Sequence, residues 1–88
     1  MAIMEAELRQ VIQAHFEGAD VEFDADSGYG RIVGTVIWDG FAGQTQSERQ
    51  RRLWDALKAD LQDVIVLKIG LLLTVTRVEY DAILEEAA

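Results

Sequence analysis

The sequence predicts an α+β domain, a three-stranded mixed sheet with helices packed on it in the order α-β-β-α-β-α. Three observations carry this reading. Two short strand-like stretches flank a glycine-containing turn, Ser27-Gly28-Tyr29-Gly30. A helix with its own cap signal follows them, and then a largely apolar run from Val64 to Leu73 that includes Lys68. A hairpin followed by a helical crossover to a third strand gives a sheet with one antiparallel and one parallel pairing.

Ala2 to Glu17 reads as the first helix. Leu8, Val11, Ile12 and His15 fall at helical spacing, with Met4 one turn earlier, and Gly18 stands where a left-handed cap ends a helix. Asp20 to Asp26 alternates acids with Val21, Phe23 and Ala25, the pattern of a strand with one buried face. Arg31 to Trp38 is the return strand, rich in β-branched residues, and Gly34 within it marks a bulge or a close approach by another element.

Thr45 with Glu48 three residues on is a capping box opening the second helix, which runs to about Leu61. Leu53, Leu57 and Leu61 form its inner stripe, Trp54 flanks that stripe, and Arg49, Arg52 and Lys58 are expected to project elsewhere. Val64 to Leu73 is uniformly apolar and reads as a strand buried on both faces, with Gly70 at a bulge or tight contact. Thr76 with Glu79 is a second capping box, opening a last helix through Ala82, Ile83 and Leu84. Glu85 and Glu86 oppose the dipole at its end.

Eighty-eight residues make one domain, spanning 1–88, and half of them are hydrophobic, enough for a core. Cysteine is absent, which excludes disulfides, thiolate metal sites and cysteine nucleophiles. Glu5 and Glu7 stand where a signal peptide would carry basic residues, and the longest apolar run includes Lys68 and is half the length of a membrane span, so a cytoplasmic protein without membrane contact is expected.

The net charge is −8, and it is unevenly spread. Residues 1–30 hold seven acids against Arg9 alone, whereas within residues 48–58 Arg49, Arg51, Arg52 and Lys58 outnumber Glu48 and Asp55. The acidic chain as a whole repels nucleic acid, but a basic face turned away from the acids attracts it. The three clustered arginines are the strongest binding candidates, against a reading in which Glu48 and Asp55 saturate them; Arg51 and Asp55 have helical i, i+4 spacing. Trp38, beside the same loop, would be an interface anchor if exposed.

Candidate catalysis is sparse. His15 is the only histidine and sits on an apolar stripe, which favours packing. Glu22, Asp24 and Asp26 share the outer face of one strand, but no glycine-centred calcium loop follows them, so they read as a solvated face. No catalytic set and no metal site is expected.

Phe41-x-Gly43-x-Thr45-x-x-x-Arg49 resembles the Phe-x-Gly-x-Ser/Thr-x-x-x-Arg motif of the BolA-like family. Arg52-Leu53-Trp54-Asp55-Ala56-Leu57 continues like that family's second helix, and Thr74-x-Thr76-x-x-Glu79 resembles its closing segment. The resemblance implies a class II KH-like fold and a non-enzymatic adaptor or regulator in iron–sulfur or stress-related pathways. Its implied partner is a monothiol glutaredoxin, met through the Phe41–Arg52 region and the third strand; the residues expected to bind a partner or nucleic acid are Arg49, Arg51, Arg52, Lys58 and Lys68. The protein would have no cofactor of its own and would share an iron–sulfur cluster with that partner.

Three departures bear on the cluster. Gln50 replaces a histidine, Arg77 replaces a proline, and Lys68 or its neighbours stand where the family's cluster-ligating histidine is expected. Lysine is protonated near neutral pH and a poor iron ligand, which weighs against cluster sharing. The alternative is a KH-like nucleic-acid-binding transcription regulator using the helix from Arg49 to Lys58. Gly40-Phe41-Ala42-Gly43 has the Gly-x-x-Gly spacing of KH loops, but without basic residues between the glycines, and fits a plain turn better. A monomer and a homodimer through Trp38 or a strand edge are both compatible with the sequence.

Overall fold

The computed structural model describes residues 2–24 and 30–87. Helix α1 spans Ala2–His15, strand β1 Asp20–Phe23 and strand β2 Ile32–Ile37. A 3-10 turn at Asp39–Phe41 leads to helix α2, Gln46–Asp60. A one-turn helix α3, Asp63–Val66, precedes strand β3, Ile69–Val75, and helix α4 closes the order at Arg77–Ala87. The predicted α-β-β-α-β-α arrangement is therefore present, with one extra helical turn before β3. Ala25, Asp26 and the predicted turn residues Ser27, Gly28 and Tyr29 lie outside the described residues.

The sheet order is β1-β2-β3. β2 pairs antiparallel with β1 and parallel with β3, so the sheet is mixed as expected. Both strand glycines have physical reasons. A Cβ on Gly34 would lie 2.7 Å from the carbonyl oxygen of Glu22, so only glycine fits the approach of β1. Gly70 is the extra residue where the β2–β3 register slips between Ile32 and Val33.

The third strand differs from expectation. It begins at Ile69, not Val64, because residues 63–66 close a helical turn in which Ile65 N–H bonds the carbonyl of Gln62. It is also an edge strand, and its exposed Leu71 and Leu73 show that only one face is covered. The strand enclosed on both sides is β2.

The core lies between the sheet and α1 with α2. Leu8 and Ile12 from α1 and Phe16 just beyond its end meet Val21, Ile32, Val36 and Leu72 from the sheet and Leu53 and Leu57 from α2. Phe16, one turn beyond Ile12, takes the packing place assigned to His15. His15 instead reaches solvent and pairs with Asp60 at the end of α2. The cap at Gly18 forms with φ of +84°.

Candidate docking surface

The motif from Phe41 to Arg49 is built inward. Phe41 is fully buried and stands edge-on to Trp38, with ring centroids 5.1 Å apart, and Phe16 meets both rings. Gly43 has φ of +81°, which turns the chain out of the 3-10 segment at low cost. Thr45 and Glu48 then close the predicted capping box. The Glu48 N–H donates to the Thr45 hydroxyl at 3.2 Å, and its carboxylate accepts the Thr45 N–H at 2.8 Å, a bond that holds its pKa below the ordinary value.

Arg49 corrects the expectation of an outward, partner-binding arginine. It is only 5 % exposed, because residue 49 lies one turn before Leu53 on the inner stripe of α2. Its guanidinium donates to Glu79 through two bonds, of 2.6 and 3.1 Å, and to the carbonyls of Gln44 and Thr74. The planar fork of arginine fits this bidentate arrangement as lysine could not. Glu79 also accepts the N–H of Thr76, completing the second predicted capping box. Arg49 thus ties α2 to β3 and to the start of α4. The ion pair raises the arginine pKa and lowers that of Glu79 to about 2.

Gln46 and Gln50 carry a function that the sequence reading missed. The carbonyl of Val75 accepts the N–H of Trp38 and points toward β2, so the alternate carbonyls of Leu72 and Thr74 point to the outer edge. Gln50 donates to Leu72 O and to the Thr74 hydroxyl, and Gln46 donates to Thr74 O. Trp54 donates in turn to Gln50. At the other edge, Arg9 from α1 donates to the carbonyl of Val21. Helix side chains therefore cap both edges of the sheet, which discourages strand-to-strand dimerisation. The signal available beforehand was the four-residue spacing of Gln46, Gln50 and Trp54 along one helix face.

The remaining cations face solvent. Arg51, Arg52, Lys58 and Lys68 are exposed and make no salt bridge among the described residues, so the competing reading in which Asp55 saturates Arg51 does not hold. The Arg52 guanidinium lies 4.8 Å from the centre of the Trp38 ring. Trp38 is half-buried and donates to the Glu17 carbonyl, so it is a packed platform under Arg52 rather than an exposed anchor. Gln44, Ser47, Glu48, Arg51, Arg52 and Asp55 line a shallow hollow on this side of α2.

The residues present do not fit an iron–sulfur ligand set. Cysteine is absent, His15 is engaged by Asp60 on another part of the surface, and exposed Lys68 precedes β3. Among the described residues no group of three or more His, Cys, Asp or Glu side chains is arranged to hold a metal ion. No described helix is long and apolar enough to cross a membrane.

No family model and no curated protein sequence matches the chain. Solved structures do. A bolA protein homologue from Coxiella burnetii is 28% identical with a TM-score of 0.65, over 86% of this chain and 94% of that one. A bol-like protein from Babesia bovis has the same fold at 17% identity and a TM-score of 0.54, over 88% of each chain. The chain shares its fold with both structures, and its motif from Phe41 to Arg49 resembles that of the BolA-like family.

Proposed function

We propose that this protein is a non-enzymatic BolA-like adaptor that docks a protein partner such as a monothiol glutaredoxin in iron–sulfur or stress-related pathways, without ligating the cluster itself. The observation that carries the reading is the division of the α2 cations. Arg49 is consumed by the fold, while Arg51, Arg52 and Lys58 remain on the surface without salt-bridge partners among the described residues. Such a face steers an acidic partner surface toward an otherwise acidic chain. The missing ligand set supports docking over cluster sharing.

The test is co-elution with a monothiol glutaredoxin on size exclusion, with and without reconstituted cluster. Wild type is expected to co-elute, R51E/K58E to lose the complex, and the visible spectrum to match that of the glutaredoxin alone. No complex with wild type would sink the adaptor reading. A spectrum altered by the protein would show that it supplies a ligand after all. Binding to DNA or RNA that weakens steeply with salt would instead favour a nucleic-acid regulator.

A further inference from the structure

The face of the sheet opposite α1 and α2 is organised in rows. The strand register aligns Asp20 with Ile37 and Val75, and Glu22 with Thr35 and Leu73. Asp24 donates its N–H to Val33, which is aligned with Leu71. Aligned side chains share a face, so every row runs from an acid on β1 or, for Asp24, just past its end, across β2, to an apolar residue on β3.

The first row is closed. Arg77 bonds the Asp20 carboxylate at 2.6 Å, and Ile37 and Val75 are only 3 % and 7 % exposed. In the other two rows the outer positions are open, while Thr35 between Glu22 and Leu73 is itself only 8 % exposed. Leu71 and Leu73 are 51 % and 45 % exposed, and Glu22 and Asp24 are exposed with no salt bridge among the described residues. Isolated surface leucines need no explanation, but two on one face beside two unpaired acids form a two-sided site.

We infer that this open sheet face docks a basic amphipathic helix from a protein partner. The acidic rail on β1 and the leucine rail on β3 are separated by two strand spacings, about 10 Å, close to the diameter of a helix with its side chains. A helix lying along β2 places its apolar side on Leu71 and Leu73 and a Lys/Arg flank against Glu22 and Asp24. Charge decides against a second copy of this chain. The copy would bring the same acids and a net charge of −8 to an acidic face. The site is separate from the α2 face of the adaptor reading, and either stands without the other.

The probe is a fluorescein-labelled 18-residue peptide with leucines on one helical face and lysines on the other, titrated into the full chain by anisotropy and by amide chemical shifts. Shifts are expected at residues 20–24, 33–37 and 71–75, with affinity lowered at least tenfold by L71S/L73S and several-fold by E22Q/D24N. R51E/K58E, on the α2 face, is expected to leave peptide affinity within a factor of two. A peptide with glutamates replacing the lysines is expected not to bind. Shifts scattered over the acids of α1 and α4, or full affinity in L71S/L73S, would overturn the proposal, since binding would then be general charge attraction. Concentration-dependent sedimentation as a dimer that is abolished by L71S/L73S would also overturn it, because the face would then belong to a second copy.

Discussion

Removing the Glu79 carboxylate isolates what the Arg49 clamp contributes. The Arg49 side chain is 6 % exposed and that of Glu79 is 45 % exposed, so the pair is half-open on the carboxylate side. E79A deletes two charge-assisted hydrogen bonds to Arg49 and one to the Thr76 N–H, and leaves a buried guanidinium with only two carbonyl partners. Hydrogen bonds to charged groups are worth about 1.5–3 kcal/mol net, and breaking a fully buried pair costs about 3–5 kcal/mol. The exposure of Glu79 lets water replace part of the loss, so about 2 kcal/mol is expected. A domain this size is stable by roughly 4–13 kcal/mol. The melting temperature should then fall by about 8–16 °C, followed by circular dichroism. E79Q keeps part of the hydrogen bonding and should fall between wild type and E79A. The pH dependence follows from the lowered Glu79 pKa. Its contribution is complete above the ordinary value of 4.5 and is lost as pH falls from there toward about 2, and E79A should flatten the stability profile across that window. A fall of less than about 3 °C, or an unchanged acid profile, would refute a clamp that bridges α2, β3 and α4.

Two further substitutions test the sheet. G34A places a methyl 2.7 Å from the Glu22 carbonyl, which belongs to rigid backbone, so β1 must move; a loss of about 1–3 kcal/mol is expected in urea denaturation, and a neutral outcome would mean that the β1–β2 approach is looser than the register implies. Q50A uncaps the Leu72 carbonyl and removes the acceptor for Trp54, and should cost about 1–2 kcal/mol and speed amide exchange along β3; unchanged exchange would show that solvent caps the edge as well as Gln50 does.

The parts of this fold that sequence made visible are those whose signal is local. Both capping boxes need only two residues three apart, and Thr45–Glu48 and Thr76–Glu79 both form. Gly18 and Gly34 were legible because each fills a place other residues fill badly. The direction of the arginines was legible too, but it was misread. The period that places Leu53, Leu57 and Leu61 inward also places Arg49 inward, and charge alone argued for the surface. What overrode the charge is Glu79, thirty residues away, and no local pattern shows that an acid will arrive at the right place to neutralise a buried guanidinium.

The third strand shows the other kind of blindness. An apolar run says that side chains avoid water, but not what will cover them. Cover depends on how many helices pack on each face. Here α1 and α2 take the same side, and α4 buries none of its own residues. Leu72 is therefore core while Leu71 and Leu73, one step away on either side, are left half in water. The acids of β1 and of the residue after it follow the same alternation, since Val21 and Phe23 pack on the core and turn Glu22 and Asp24 outward. Leucines and acids meet on one open face only because the hairpin and the parallel crossover set their strands in register across β2. A one-residue slip in either pairing would turn one rail into the core, so the docking face is a property of the register and not of either segment alone.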